Sequence, residues 1–363
     1  MLLGGFVAPI DAVVAAGGIQ QVPQYFSEGR EPWEAPLERR RGPTSPATFS
    51  FYIAANLYDS STDYSAIIEG TPQTQTTDVI LLTTFPAPYF MAVAVGTKLL
   101  DVLATTGPTS FIAYNLGNGN IFDQPRLPGD VPAIATDSQG TTYASITGST
   151  SGTPGVLVFP YGATSPSYTI TNGFLIPGLL AVDGHDNLYV SYGNNIAVYP
   201  PGATTPARTI SQGINNPGLM TFDKANRLVV YNSGSNAITV YKPKHRAPVS
   251  TITDGINGPS AIAVGPTGTL YVANFDGNDI TEYDHEGSAL SRTITTDTKA
   301  PRSIAVDSQD SLYEFVLGYK SGRAFLVYTY PHQSLQPSGK PWIFYQPTHL
   351  FEGLLVTTAG PAW

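Results

Sequence analysis

The sequence predicts an all-β fold in which one four-stranded antiparallel unit recurs six or seven times. Three observations carry this. An apolar-turn-apolar pattern returns at Pro88, Pro132, Pro177, Pro217, Pro259 and Pro301, a period of roughly 42 residues. The 363-residue chain holds 36 Gly and 31 Pro, the punctuation of many tight turns. Tyr (21) exceeds Phe (16) among residues that favour strands, and 42% of the chain is hydrophobic, enough for a substantial core. A four-stranded unit with two apolar faces is unstable alone. Repetition around an axis covers both faces, which is the architecture of a β-propeller.

Each unit can be read in order from Ile176–Ile210, Asn216–Ile252 and Gly258–Ile294. Strand a is an apolar triplet such as Leu180-Ala181-Val182 or Ile262-Ala263-Val264. Its central alanines (Ala181, Ala263, Ala305) suit strands that converge near an axis. An Asp-led turn follows, as in Asp137-Ser-Gln-Gly140 and Asp307-Ser-Gln-Asp310, with Asp where type I turns favour it. Strand b carries Tyr143, Tyr189, Tyr271 and Tyr313. Strand c ends at Phe159, Tyr199, Tyr241, Tyr283 and Tyr328. Strand d holds Ile170, Ile210, Ile252 and Ile294.

The pattern P-x-x-IAVD-x-x-G-x-LYVAN-x-x-x-N-x-I-x-VY resembles the NHL-type, gluconolactonase-like propeller repeat, well over residues 88–330 and loosely elsewhere. The resemblance implies the fold strongly and the function weakly, since such propellers include lactonases, lyases, strictosidine-synthase-like enzymes and binding domains.

Residues 48–363 are read as the propeller. Within them, 49–87 offer strands b, c and d without an a, and Phe351–Thr357 offers an a without the rest. One C-terminal strand joining three N-terminal ones makes a closing blade (48–87 plus 343–363) and leaves no open edge, so seven blades are preferred over six. Residues 1–47 lie outside the repeats. Their start, MLLGGFVAPIDAVVAAGG, ends in small residues like a secretory signal but lacks a basic leader and contains Asp11. Phe6, Val7, Ile10, Val13, Val14, Tyr25, Phe26 and Trp33 make this arm apolar, suited to docking on its own domain or on a second copy in a homo-oligomer.

Net charge is −9, which argues against nucleic acid as a partner. Cys is absent, so thiol catalysis, disulfides and thiolate metal sites are excluded. No apolar run reaches transmembrane length. Low Lys with abundant Thr, Ser, Asn and Gly leans towards a secreted, periplasmic or cell-surface bacterial protein.

Chemistry is sought at the mouth, where the d–a connections and b–c loops open. The residue after each leading Pro gives Tyr89, Ala133, Gly178, Gly218, Ser260, Arg302 and, in the closing strand, Glu352. The resemblance implies a divalent cation at such positions in lactonase relatives. Glu352 matches that set, whereas Gly178, Gly218 and Ser260 depart from it. Arg302 and Glu352 are expected as a seam-closing ion pair, with gripping of an anionic ligand as the alternative. Tyr192, Tyr231, Phe275 and Tyr319 on the b–c loops suit stacking on a glycan or peptide, or packing between blades.

Two acidic loops, with Asp183 and Asp186 and with Asp276 and Asp279, carry the oxygen-rich, Gly-containing pattern of a calcium loop. They lack its distant bidentate Glu, and the ordinary reading is an Asx-turn. No GxSxG, P-loop or HExxH motif occurs, and no catalytic residue is assigned. No cofactor is required by this reading. The expectation is therefore a non-enzymatic binding or scaffold propeller for a glycan, peptide or protein. The alternatives are a lactonase- or lyase-type enzyme with an atypical mouth, and a structural subunit assembling through residues 1–47.

Overall fold

The computed structural model describes residues 50–58, 63–71, 76–83, 89–95, 99–105, 109–115, 121–123, 127, 131–148, 153–284, 289–295, 301–319, 324–338, 340–345 and 350–359. Side chains are described for 127, 131–148, 153–284, 289–295, 301–316, 326–338, 340 and 341. The N-terminal arm and its suggested role in association lie outside these residues. Among the described residues no helix is long and apolar enough to cross a membrane.

The described elements are strands. They run β1 (Ser50–Tyr58), β2 (Asp63–Thr71), β3 (Thr76–Thr83), β4 (Tyr89–Val95), β5 (Leu99–Thr105), β6 (Thr109–Asn115), β7 (Ile121–Asp123), β8 (Ile134–Thr136), β9 (Thr142–Ile146), β10 (Gly155–Phe159), β11 (Tyr168–Ile170), β12 (Leu180–Val182), β13 (Leu188–Tyr192) and β14 (Asn195–Tyr199). They continue as β15 (Arg208–Ile210), β16 (Pro217–Phe222), β17 (Leu228–Asn232), β18 (Ala237–Tyr241), β19 (Ser250–Ile252), β20 (Pro259–Val264), β21 (Leu270–Asn274), β22 (Asp279–Tyr283), β23 (Leu290–Thr295), β24 (Ser303–Val306), β25 (Leu312–Tyr319), β26 (Ala324–Tyr330), β27 (Trp342–Tyr345) and β28 (Leu350–Ala359).

These strands form four-stranded antiparallel sheets, as a propeller requires: β4–β7, β8–β11, β12–β15, β16–β19, β20–β23, β24–β27, and one ordered β28-β1-β2-β3. In the last, β28 pairs with β1 from Ser50 opposite Ala359 to Tyr58 opposite Leu350. The first strands of successive sheets lie side by side: β4 by β8, then β12, β16, β20, β24 and β28, and β28 by β4.

The core sits between sheets. In β13, Leu188 and Val190 pack against Tyr143, Val156, Val158 and Ile170 of the preceding sheet, while Tyr189 faces Leu228, Val230 and Tyr241 of the following one. The same division recurs further round, with Leu270 and Val272 in one cluster and Tyr271 and Ala273 in the next. Both faces are covered, so strand b is buried along nearly its whole length instead of alternating.

Two expectations are corrected. Tyr328 is not the end of its strand c: β26 runs on to Tyr330, which pairs with Leu312 as Tyr199, Tyr241 and Tyr283 pair with Leu188, Leu228 and Leu270. The longer β25–β26 hairpin displaces the register by two. The central alanines are also not alike. Ala305 is buried, but β12, β16 and β20 are half-buried along their length, so Ala181 and Ala263 are less enclosed than convergence at an axis suggested.

The a–b turns show how the sequence builds each sheet. The amide of the fourth residue donates to the carbonyl of the first in Asp137–Gly140, Asp183–Asp186, Asp223–Asn226, Gly265–Gly268 and Asp307–Asp310. That fourth residue has positive φ in every case, from +60° at Asp186 and Asn226 to +89° at Gly268. The leading carboxylate is the keystone. Asp183 accepts from the amides of His185 (2.9 Å) and Asn187 (3.0 Å) and from Tyr189 Oη (3.2 Å). Asp137 serves Tyr143 and Asp307 serves Tyr313 in the same way.

Burial pushes the Tyr189 phenol up to about 12, with Asp183 adding to the rise and Arg208 opposing it. Burial first, then the adjacent aspartate, also raises Tyr143 and Tyr313. An unfolded tyrosine ionises near pH ~10. Above that pH the unfolded chain releases protons that the folded chain keeps, so stability is full below it and falls as pH climbs towards the folded values. Tyrosinate absorbance in an alkaline titration is expected to lag that of free tyrosine, then rise together with loss of the β-sheet circular dichroism signal. Ionisation at the free-tyrosine pH with the fold intact would refute this.

Candidate functional site

The end of each sheet that bears the β17–β18 and β21–β22 loops is organised by buried polar side chains at the close of strand b. Asn274, fully buried, accepts from the Asn257 amide (2.9 Å) and donates to the Gly255 carbonyl (2.9 Å) and Asp279 Oδ1 (2.7 Å). Asn232 accepts from the Asn215 amide at 2.9 Å and donates to Thr239 Oγ1 at 2.9 Å. Ser191 and Ser145, one position earlier in their strands, hold the amides of Leu179 and Ala133, which follow the leading prolines. A buried amide or hydroxyl left unpaired would cost about 1–3 kcal/mol, so these bonds fix the rim.

Bulges then set the residue after two of the leading prolines. Register shifts fall at Gly218, between Pro217 and Leu219, and at Ser260, between Pro259 and Ala261. At Gly178 a Cβ would meet Ser191 Oγ at 2.8 Å, and at Gly218 it would meet the Tyr231 ring at 3.3 Å. Ala133 is buried. The Ser260 hydroxyl donates to the Pro301 carbonyl at 2.6 Å, joining β20 to the segment that leads into β24. These residues do not make the ligand set that a lactonase-type divalent cation would need. Among the described residues no group of three or more His, Asp or Glu is placed to hold a metal ion.

Arg302 is exposed, and its guanidinium carbon lies 4.7 Å over the centre of the half-buried Phe275 ring. Partial desolvation there draws its pKa down from the ordinary arginine value. Its expected partner Glu352 lies outside the described side chains, as do Tyr89 and Tyr319. Tyr231 is 9% exposed and packs between two sheets, with its hydroxyl on Asn236 Oδ1 at 3.2 Å. Tyr192 is half-buried, its ring 6.4 Å from Phe174. Both make the inter-sheet packing contacts that the sequence offered as the alternative to stacking.

The acidic loops separate into different roles. Asp183 is saturated by its own turn. Asp186 accepts from the Ser138 amide (2.8 Å) and hydroxyl (2.7 Å), tying its turn to that of the preceding sheet. Asp279 is bonded to Asn274. Asp276 is exposed on the β21–β22 loop beside Phe275, and its charge contributes to raising the Tyr231 phenol, after burial. A Cβ on Gly258 would lie 2.0 Å from Asp276 Oδ2, and Gly258 has φ +58°. The carboxylate thus occupies room that only glycine leaves. Sequence reading placed Asp276 in a calcium loop and missed it as a mouth carboxylate. The available signal was Gly258 itself, where the neighbouring unit has Asn216.

No protein-family model matches the chain, and no curated protein sequence matches it. Among solved structures, the chain is similar to a Bacteroides uniformis protein described as a candidate 6-phosphogluconolactonase, at TM-score 0.62 and 12% identity, over 85% of this chain and 99% of that one. It is also similar to a Lactobacillus plantarum protein, at TM-score 0.63 and 15% identity, over 85% and 99%. At such identity the likeness establishes the fold. It also corrects the functional expectation. A non-enzymatic binding or scaffold propeller is not what the first of these neighbours points to, and the comparison favours the lactonase-type alternative instead.

Proposed function

We propose that the chain is a lactone hydrolase built as a closed, seven-bladed propeller of NHL-like repeats, with its substrate at the rim where Arg302, Phe275 and Asp276 lie. The observation that carries this reading is the structural likeness to the candidate 6-phosphogluconolactonase across 99% of that protein. The closed ring is supported by the β28–β1 pairing and by the succession of neighbouring first strands that returns from β28 to β4.

Hydrolysis of a lactone needs water delivered to the ester carbonyl and charge stabilised on its oxygen. The acyl carbon–oxygen bond breaks, the ring oxygen leaves as a hydroxyl, and the new acid gives up a proton. Asp276, exposed at the rim, is the base that would take the proton from water. The Arg302 guanidinium is the cation that would hold a phosphate or the developing oxyanion, its ring support limiting its freedom.

The test is acid release from gluconolactone and from its 6-phosphate, corrected for spontaneous opening. Arg302→Ala is expected to raise KM for the phosphorylated substrate by about tenfold or more, the equivalent of one charged hydrogen bond. Asp276→Asn is expected to lower kcat with KM little changed. Full-length protein that opens neither lactone above background would reject the proposal.

A further inference from the structure

The β16–β19 sheet departs from its sisters at the end away from the mouth. The turn joining strands c and d reads Pro160-Tyr161-Gly162-Ala163 in one sheet and Pro200-Pro201-Gly202-Ala203 in the next. Here it reads Lys242-Pro243-Lys244-His245, followed by Arg246. All three are closed by the same bond, from the fourth amide to the first carbonyl, at 2.9, 3.0 and 3.1 Å. All three place the third residue at positive φ: +73° at Gly162, +72° at Gly202 and +66° at Lys244. Glycine adopts that conformation freely and lysine does not. The turn after β26 does the same with Gln333 at +61° in Pro331–Ser334, so what sets the β18–β19 turn apart is its charge, two lysines and an arginine within five residues.

The adjoining a–b turn adds Lys224 and Arg227, and β15 adds Arg208, which donates to Tyr189 Oη at 2.9 Å and to the His245 carbonyl at 3.4 Å. Ala225, Arg227, Lys242, Pro243 and His245 line an open depression of about 520 Å³. Arg208, Lys224, Arg227, Lys242, Lys244 and Arg246 are six of the 18 Lys and Arg residues in a chain of net charge −9. Asp223 is the carboxylate in these turns, and it is engaged by the Arg227 side chain and amide. Lys224, Lys242, Lys244 and Arg246 are exposed, and among the described residues none of the four forms a salt bridge.

We infer that this depression is a second, separate binding site, for a small multivalent phosphate-type anion. The rest of the acidic surface repels such a ligand, so concentrated positive charge at one concavity focuses it there. A shallow depression lined by five residues suits a small molecule, in contrast to the extended basic stripe that a nucleic-acid strand follows. Lys242 and Lys244 supply mobile point charges, and Arg208 braces the turn that carries them. The shared chemistry fits free inorganic oligophosphate or a clustered phosphate ester.

The experiment is calorimetric titration of the full-length protein with inorganic tripolyphosphate, at low and at physiological salt. One-to-one binding that weakens about tenfold or more with salt is expected. The Lys242→Ala, Lys244→Gly double variant is expected to lose about tenfold or more in affinity, as loss of charged hydrogen bonds implies. Its melting temperature is expected to hold or rise, because glycine relieves the positive φ. Arg302→Ala is expected to leave this binding untouched, which separates it from the proposed lactonase site. A clustered phosphate ester, inositol hexakisphosphate, competing for the same site would name the ester as source. Failure to compete would name the free oligophosphate. No tripolyphosphate binding, equal affinity in the double variant, or binding confined to a single-stranded oligonucleotide would overturn the inference.

Discussion

Removal of residues 349–363 is expected to destabilise the protein by on the order of 5 kcal/mol, a large part of the stability of an ordinary domain. The segment contains β28, whose ladder with β1 runs from Leu350 to Ala359. Leu350, Phe351, Leu354, Leu355 and Val356 are its large apolar residues, each worth about 1.5–3 kcal/mol when buried. The strand also lies beside β4 and β24, so its loss would open the edge of β1 and separate two neighbouring sheets together. Thermal unfolding followed by circular dichroism, with light scattering to detect association through the exposed edge, measures the effect. The closed ring would be refuted by a truncated chain that melts with the full-length protein. A six-bladed ring with an N-terminal appendage predicts that benign result, because β28 would then complete nothing essential.

What could be read from sequence is what the repeat makes comparable. The Asp-led turns, the strand-b tyrosines and the Thr-Ile strands recur at one spacing, so each unit interprets the next. Tyr328 failed because an insertion lengthens the β25–β26 hairpin and the pattern offers two tyrosines, of which Tyr330 faces Leu312. The rim was less legible, since its contacts join residues from different units. Arg302 rests on Phe275, from the preceding sheet, a contact that no single unit displays. Asp276 occupies space defined by a side chain that Gly258 lacks, and spacing alone does not show an empty volume. The basic turn at Lys242–Arg246 went unread, because Lys242 and Arg227 come to one depression only through the fold.

The Asp-led turns lead to a second large effect. Asp307→Ala is expected to cost about 3 kcal/mol or more, because one 3%-exposed carboxylate satisfies three donors. Its oxygens accept from the Gln309 amide at 2.9 Å, the Ser311 amide at 2.8 Å and Tyr313 Oη at 2.9 Å. Alanine would leave the amides and the buried phenol to find water or lose their bonds. Asp307→Asn keeps an oxygen for both amides and an amide group that the phenol oxygen can accept from, so its cost is expected to stay near 1 kcal/mol. Among the described a–b turns, one lacks this carboxylate. Gly265 stands in the aspartate position, a Cβ there would lie 1.8 Å from Asp310 Oδ1, and Tyr271 Oη is buried without a hydrogen-bond partner. Asp310 of the next sheet thus fills the vacated space without reaching the phenol, and its Oδ2 accepts from Thr267. The sheet retains its four strands, so the aspartate is a stabiliser of the turn and not a condition for forming it. Asp307→Ala should therefore fold and melt earlier, by about 5 °C on the scaling for a chain of this size. Equal melting temperatures for the Ala and Asn variants would show that the three hydrogen bonds carry little net stability.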